Sequence, residues 1–378
     1  MLAVVGGDAF AVKIGQRALT IRLDHDEGLT GAGEVILGHD LRTIAQVAGL
    51  GYSLTMTQDL AQLLATPDAY LHSFDGAEAV LAAMDRAAYR RSIFLDRRIS
   101  PAREHVWRVP SAALAAAAPP AQPLGWIFHV AHCGSTLLAR ALDELGGGLV
   151  LREPLALRKL ALAPDPALLP PVLALLSRRY PGEGRSVVKA NVPVNFMLEA
   201  IAAADPAAPT VLLWSRLPDY LTAVLRSPNH RRWVRNITAL LADHLGELEG
   251  LGDAERAAAL WIAQHRRFAD TLDRMPQARA LEAEHFFADP AGSLLAAAQL
   301  FGIPASVADI DALATGPLFS TYSKNPAASF DNAARQSLKH RSALELAGEI
   351  AQAEHWLAAN ARDASDIVDR LSAASLMA

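Results

Sequence analysis

The sequence predicts an α/β protein with a three-layer parallel sheet and a P-loop-like phosphate site, preceded by a smaller N-terminal α+β region. Three observations lead there. After Pro123, short apolar runs alternate with stretches of helical length, the pattern of repeated strand–helix–strand units. An apolar strand over Trp126–Val130 runs into Gly134 and then a helix opening at Ser135. An Ala-rich stretch, Ser111 to Ile127, broken by Pro119, Pro120 and Pro123, reads as a linker between the two parts. Residues 1–120 are therefore expected to form an appended region of unknown role, and residues 121–378 an α/β domain with a helical C-terminal part.

Composition bounds the rest. Of the 378 residues, 52% are hydrophobic, 20% charged and only 6% aromatic, so the interior is built mainly from Ala, Leu and Val, and wholesale disorder is excluded. The net charge of −5 argues against a surface made to neutralise a nucleic-acid backbone, so any anion site must be local. The single cysteine, Cys133, excludes a disulfide framework and a Cys-rich zinc site, and fits a reducing cytoplasm. Lys13, Arg17 and Arg22 interrupt the first apolar run, which has no basic leader before it. No uncharged apolar stretch reaches the roughly 18 residues of a membrane span.

Taken in order, Val4 to Leu23 has strand-like stretches, and Asp59 to Leu64, Gly76 to Tyr89 and Arg90 to Phe94 read as short helices. No chemical motif stands out there. The Ala- and Pro-biased stretches 113–123 and 161–172 read as connections. The segment Gly125 to Leu142, GWIFHVAHCGSTLLARAL, is the informative one: a strand, a tight turn at Gly134, and a helix from Ser135 to glycines 146–148. The first amides of a helix lack intrahelical partners and sit at its positive end, so they can hold a phosphate. Ser135 and Thr136 add hydroxyls. An ordinary capped turn shares this local pattern. Nucleotide triphosphatase loops read G-x-x-x-x-G-K-[ST], whereas here His129 stands at the first Gly and Ser135 at the Lys, which disfavours a kinase-like enzyme.

The run Ala131-His-Cys-Gly-Ser-Thr-Leu-Leu138 instead resembles the P-[KR]-S-G-[ST]-T-x-L loop of sulfotransferases that use 3′-phosphoadenosine 5′-phosphosulfate (PAPS). Further pieces follow in that family's order. Thr210 to Tyr220 resembles its strand ending in R-x-P, which implies that Arg216 binds the donor's 3′-phosphate. Gly148 to Pro154 resembles its E-P element, which implies Glu153 as general base, and Ser186 to Lys189 implies that Lys189 stabilises the sulfonate oxygens. Ala280 to Pro290 matches a further strand and D-P turn, with Asp289 and Pro290 opening a helix that ends near Gly302. Phe319 to Pro326, with Arg335 and Lys339, resembles the loop that closes over adenine and 3′-phosphate.

The resemblance runs over roughly residues 124–341 and implies transfer of a sulfonate from PAPS to a hydroxyl or amine, with the bisphosphate PAP as product and no metal required. It assigns His132, Glu153 and Lys189 to catalysis. It assigns Cys133, Gly134, Ser135, Thr136, Leu137, Arg216, Thr222, Lys324 and Arg335 to the donor. Two positions depart from the pattern: His132 replaces the loop Lys or Arg, and Val224 replaces the Ser eight residues after the arginine, with Thr222 and Ser227 nearby. A noncatalytic nucleotide- or partner-binding module is the alternative reading. The acceptor, whether small molecule, carbohydrate or peptide, and the oligomeric state leave no trace in the sequence. Cys133 at a helix start is expected to have a lowered thiol pKa. The basic runs His230 to Arg235 and Gln264 to Phe268 read as solvated helix faces.

Overall fold

The computed structural model describes residues 2–4, 9–14, 17–22, 59–322, 325–329 and 331–377, with side chains over 59–321 and 331–377. The chain divides into two compact units, Met1–Met56 and Thr57–Ala378. In the first unit, β1 (Leu2–Val4), β2 (Ala9–Ile14) and β3 (Arg17–Arg22) form an antiparallel meander. The strand-like stretches of Val4 to Leu23 are strands there.

The second unit opens with a helical turn over 59–64 and an antiparallel sheet of β4 (Ala69–Asp75), β5 (Glu78–Ala83) and β6 (Val106–Pro110). Where a helix is expected over Gly76 to Tyr89, residues 78–83 are strand β5. Gly76, at φ 57°, turns the β4–β5 hairpin, and the apolar run behind it pairs on both edges, which overrides the helical preference of its alanines. A short helix remains at Arg86–Arg91, where Asp85 caps the Ala88 amide at 2.6 Å. The expected linker also folds: its alanines form a helix over Ser111–Ala117, and only the proline-bearing stretch behind it is extended connection.

The core is a parallel sheet of five strands in the order β11 (Ala278–Glu282), β10 (Thr210–Trp214), β7 (Gly125–His129), β9 (Val187–Lys189), β8 (Val150–Arg152). Every residue of β7 and β10 is buried, as befits strands covered by helices on both faces. After β7 the chain runs to the edge at β8 and returns to β9. It then crosses to the other side of β7 for β10 and β11. The carboxyl end of β7 is thus the switch point where the strand order reverses, the place where open α/β sheets bind ligands.

Two buried arginines fasten the β4–β6 region onto this sheet. Arg152, at the end of β8, is 2% exposed; it pairs with Asp143 at 2.7 Å and donates to the carbonyls of Tyr89 and Ser92 at 2.8 and 2.7 Å. Arg178 donates to Leu175 O at 2.8 Å and to Ala69 O at 2.9 Å, and burial pushes its guanidinium down to about 10. With Leu95 N donating to Arg152 O at 2.7 Å, residues 93–98 are laid along the carboxyl end of β8. The C-terminal part is helical: Asn332–Glu345, Ala347–Asn360 and Ala364–Ala373, the last followed by Ser375, which bridges to Ala280 of β11. Asp289 caps the helix Pro290–Phe301, accepting from Gly292 N at 2.9 Å, and Gly302 closes it at φ 69°.

Candidate functional site

A cavity of about 880 Å³ opens at the carboxyl ends of the strands, within the roughly 300–1,000 Å³ range of small-molecule sites. Its floor is the loop after β7. Helix α1 (Ser135–Leu145) begins at this floor, with Gly134 as its cap at φ 88°. Gly134 is demanded twice: a Cβ there meets Phe287 Cζ at 2.8 Å and Phe286 Cδ1 at 3.1 Å, and the left-handed backbone disfavours any side chain. Ala131 and His132, just before it, also have positive φ, at 72° and 54°. Ser135, Thr136 and Leu137 line the floor.

One wall comes from β8 and β9. Glu153, at φ 58°, leaves β8 in a strained turn whose amide donates to Lys189 O at 2.7 Å. Lys189 Nζ donates to Glu153 Oε1, and the two side chains are 1% and 18% exposed. His129 Nδ1 accepts from Ala131 N at 3.0 Å, which places the proton of the neutral ring on Nε2, 3.9 Å from Glu153 Oε1. Of the cations near Glu153 in sequence, Arg152 turns to Asp143 and Lys159 Nζ donates to Phe74 O, while Arg158 lines the cavity. Phe94, Asp96 and Arg98 complete this wall, with Arg98 paired to Asp96 and lying 3.8 Å over the Phe94 ring. Nothing in their sequence announced them; the long-range hydrogen bonds of Arg152 put them there.

The opposite wall comes from the elements after β10 and β11. Helix α2 (Leu217–Leu225) turns Asp219 and Thr222 toward the cavity, and Thr222 Oγ1 donates to Asp219 O at 2.8 Å. Arg216 does not line the cavity. Its side chain is 55% exposed and its Nε donates to Glu282 Oε1 at 3.0 Å, away from the α2 face that carries Asp219 and Thr222. Val224 is fully buried core. The cations on this wall are Arg226, one helical face further along, and Arg335 and Lys339 from the helix Asn332–Glu345. Arg335 forks onto Glu284 at 2.7 and 3.0 Å and lies 4.0 Å over Phe287; Lys339 reaches Asp219 at 2.7 Å and Glu284 at 3.1 Å. Burial pushes the Glu284 carboxyl up, but Arg335 and Lys339 more than offset this and hold it below the usual carboxylate range. Lys324 lies outside the described residues.

His132 leans on the next helix, α3 (Pro228–Leu240): its ring centroid is 4.8 Å from His230 and 5.4 Å from Trp233. The basic run there is two-sided. His230 and Trp233 face the cavity, while Arg231 and Arg235 pair with Glu349 and Asp253. The second run divides likewise, with Gln264, His265 and Phe268 in the core and Arg266 on Asp363. Cys133 departs from expectation: burial pushes its thiol up, outweighing the helix-start amides, and its Sγ points to Leu213 O at 3.8 Å.

No family model and no curated protein matches the chain. Among solved structures, a sulfotransferase domain from the curacin biosynthetic pathway is similar over 60% of this chain and 98% of its own, at 12% identity and a TM-score of 0.37. A sulfotransferase from Alicyclobacillus acidocaldarius is similar over 62% of this chain and 99% of its own, at 15% identity and a TM-score of 0.34. Likeness this low says nothing of chemistry, which this chain's own residues must supply.

Proposed function

We propose that the chain transfers a sulfonate from PAPS to a hydroxyl or amine. One observation carries the reading. Among the described residues, the non-glycine residues with positive φ are Ala131, His132 and Glu153, and all three line one cavity. Such backbone costs about 1–3 kcal/mol per residue, persists only where the surrounding structure over-determines it, and clusters at active sites. Here the strain curls the floor loop toward α1 and aims the Glu153 carboxylate at Lys189.

In this reading the donor's phosphosulfate lies on the 132–137 loop, against the amides and hydroxyls of Ser135 and Thr136. Arg335, Lys339 and Arg226 take over the 3′-phosphate role that the sequence suggested for Arg216. The acceptor's proton goes to Glu153, its oxygen or nitrogen bonds to sulfur, and the bond from sulfur to the phosphate oxygen breaks, leaving PAP. Lys189 spans Glu153 and the sulfonate oxygens and offsets the charge that builds on them. The loop lacks the lysine that a nucleotide hydrolase needs, which favours a donor that transfers without hydrolysis.

Incubation with donor labelled with ³⁵S on its sulfonate, and with hydroxyl- and amine-bearing acceptors, tests the proposal. Labelled product formed one for one with PAP, and lost in Glu153→Gln, supports it. PAP binding without transfer of label to any acceptor reduces the chain to a nucleotide-binding module.

A further inference from the structure

The sheet order divides the cavity by element: β10 and β11 bring one wall, β9 and β8 the other. On the proposed reading, on which this inference rests, the second wall faces the acceptor, since it carries Glu153. Its charges nearly cancel in pairs. Lys189 is matched by Glu153, and Arg98 by Asp96. Arg158 is left over. It sits on α4 (Leu155–Leu162), the helix that starts right behind Glu153, and its side chain lines the cavity half-buried. Among the described residues it has neither an ion pair nor a side-chain hydrogen bond. Of the cations across the cavity, Arg335 and Lys339 are held by Glu284 and Asp219, and Arg226 lies 3.3 Å from His230.

An apolar patch begins one turn from Arg158. One turn along the same helix, Leu162 packs against a small cluster of Ala131, Val192 and Ile237 that also takes in Trp233, and all of these but Leu162 line the cavity. A guanidinium that pairs with no carboxylate among the described residues, on the helix that starts right behind the base and near an apolar patch, matches a ligand with an apolar body and an acid group. We infer that the acceptor is an anionic, amphiphilic hydroxy or amino compound whose acid group is held by Arg158 while its nucleophile lies at Glu153. The half-buried position matters, because a cation partly removed from water has more to gain from an anion than a fully solvated one.

Calorimetric titration of the full chain, with and without saturating PAP, tests this with two probes of one shape: 4-hydroxyphenylacetate and its neutral amide. The acid is expected to bind about tenfold more tightly than the amide, a difference of about 1.4 kcal/mol. Arg158→Gln should bring the ratio to about one, and Arg158→Lys should keep part of it, with the urea midpoint of both variants unchanged. Equal binding of the probes, a preference that survives Arg158→Gln, or no binding of either probe overturns the inference. Failure of PAP to bind overturns the donor reading instead, and the titration of nucleotide-free protein still decides the Arg158 question.

Discussion

Replacing Glu153 by Gln removes one charge from a nearly closed pair. Lys189 is 1% exposed, so its ammonium has little access to water once the carboxylate is gone. Breaking a buried pair by removing one partner costs about 3–5 kcal/mol. The amide oxygen still accepts a hydrogen bond, and Glu153 keeps 18% of its exposure, so the lower end, about 3 kcal/mol, is expected. Loss of a general base lowers turnover by about 10²–10⁴-fold. Urea unfolding reads the first effect and sulfonate transfer the second. The double variant Glu153→Gln with Lys189→Met separates them, since it removes the stranded charge along with the base: stability should recover, and turnover should not. A Glu153→Gln protein that keeps its urea midpoint, and turnover within about twofold of the parent, refutes both the buried pair and the base.

Gly134→Ala forces a Cβ to 2.8 Å from Phe287 and a side chain into positive φ, so stability should fall by about 2–4 kcal/mol, and PAP affinity with it, by unfolding and titration. His265 is fully buried, and burial pushes its imidazole from 6.5 down to about 4. The unfolded chain therefore takes up a proton as pH falls below 6.5 while the folded one does not until about 4, so stability drops over that window, by about 3 kcal/mol. His265→Phe should remove up to about 1.4 kcal/mol per pH unit from the slope of the unfolding free energy, obtained by urea titration between pH 6.5 and 4. Glu284 is also shifted down, here by its cationic partners: its depressed carboxyl stabilises the clasp with Arg335 and Lys339 above the ordinary carboxylate range and loses that contribution below it. Hydrogen exchange over residues 332–345 should accelerate as pH is lowered through that range, after correction for intrinsic rates.

The sheet and the loop after β7 were legible because their signals are local. The β7–Gly134–α1 run carries strand, turn and helix start within a few residues, and the glycine is required by its own φ and by Phe286 and Phe287. Glu153 and Lys189 were found as separate strand-end residues. Their contact depends on β8 and β9 being neighbours, a fact of topology. What sequence could not settle was facing. Arg216 and Thr222 share a motif, but the rotation of α2 turns one to Glu282 and the other to the cavity. His230 and Trp233 share a basic run with Arg231 and Arg235 yet point the opposite way, and only the position of α3 beside His132 decides which face is wet. Residues 93–98 carried no sign of a place at the site, and the short helix expected over Arg90 to Phe94 ends at Arg91, because their position is set by Arg152, far along the chain, rather than by their own pattern.

The most direct measurement is the affinity of the chain for PAP against ADP, with and without Arg335→Gln. A loop at the switch point of the sheet, with Arg335 and Lys339 above it, predicts that PAP binds at least about tenfold more tightly than ADP and that Arg335→Gln erases most of the difference, whereas Arg216→Ala, turned to Glu282, changes it little. Equal affinity for the two nucleotides contradicts the account.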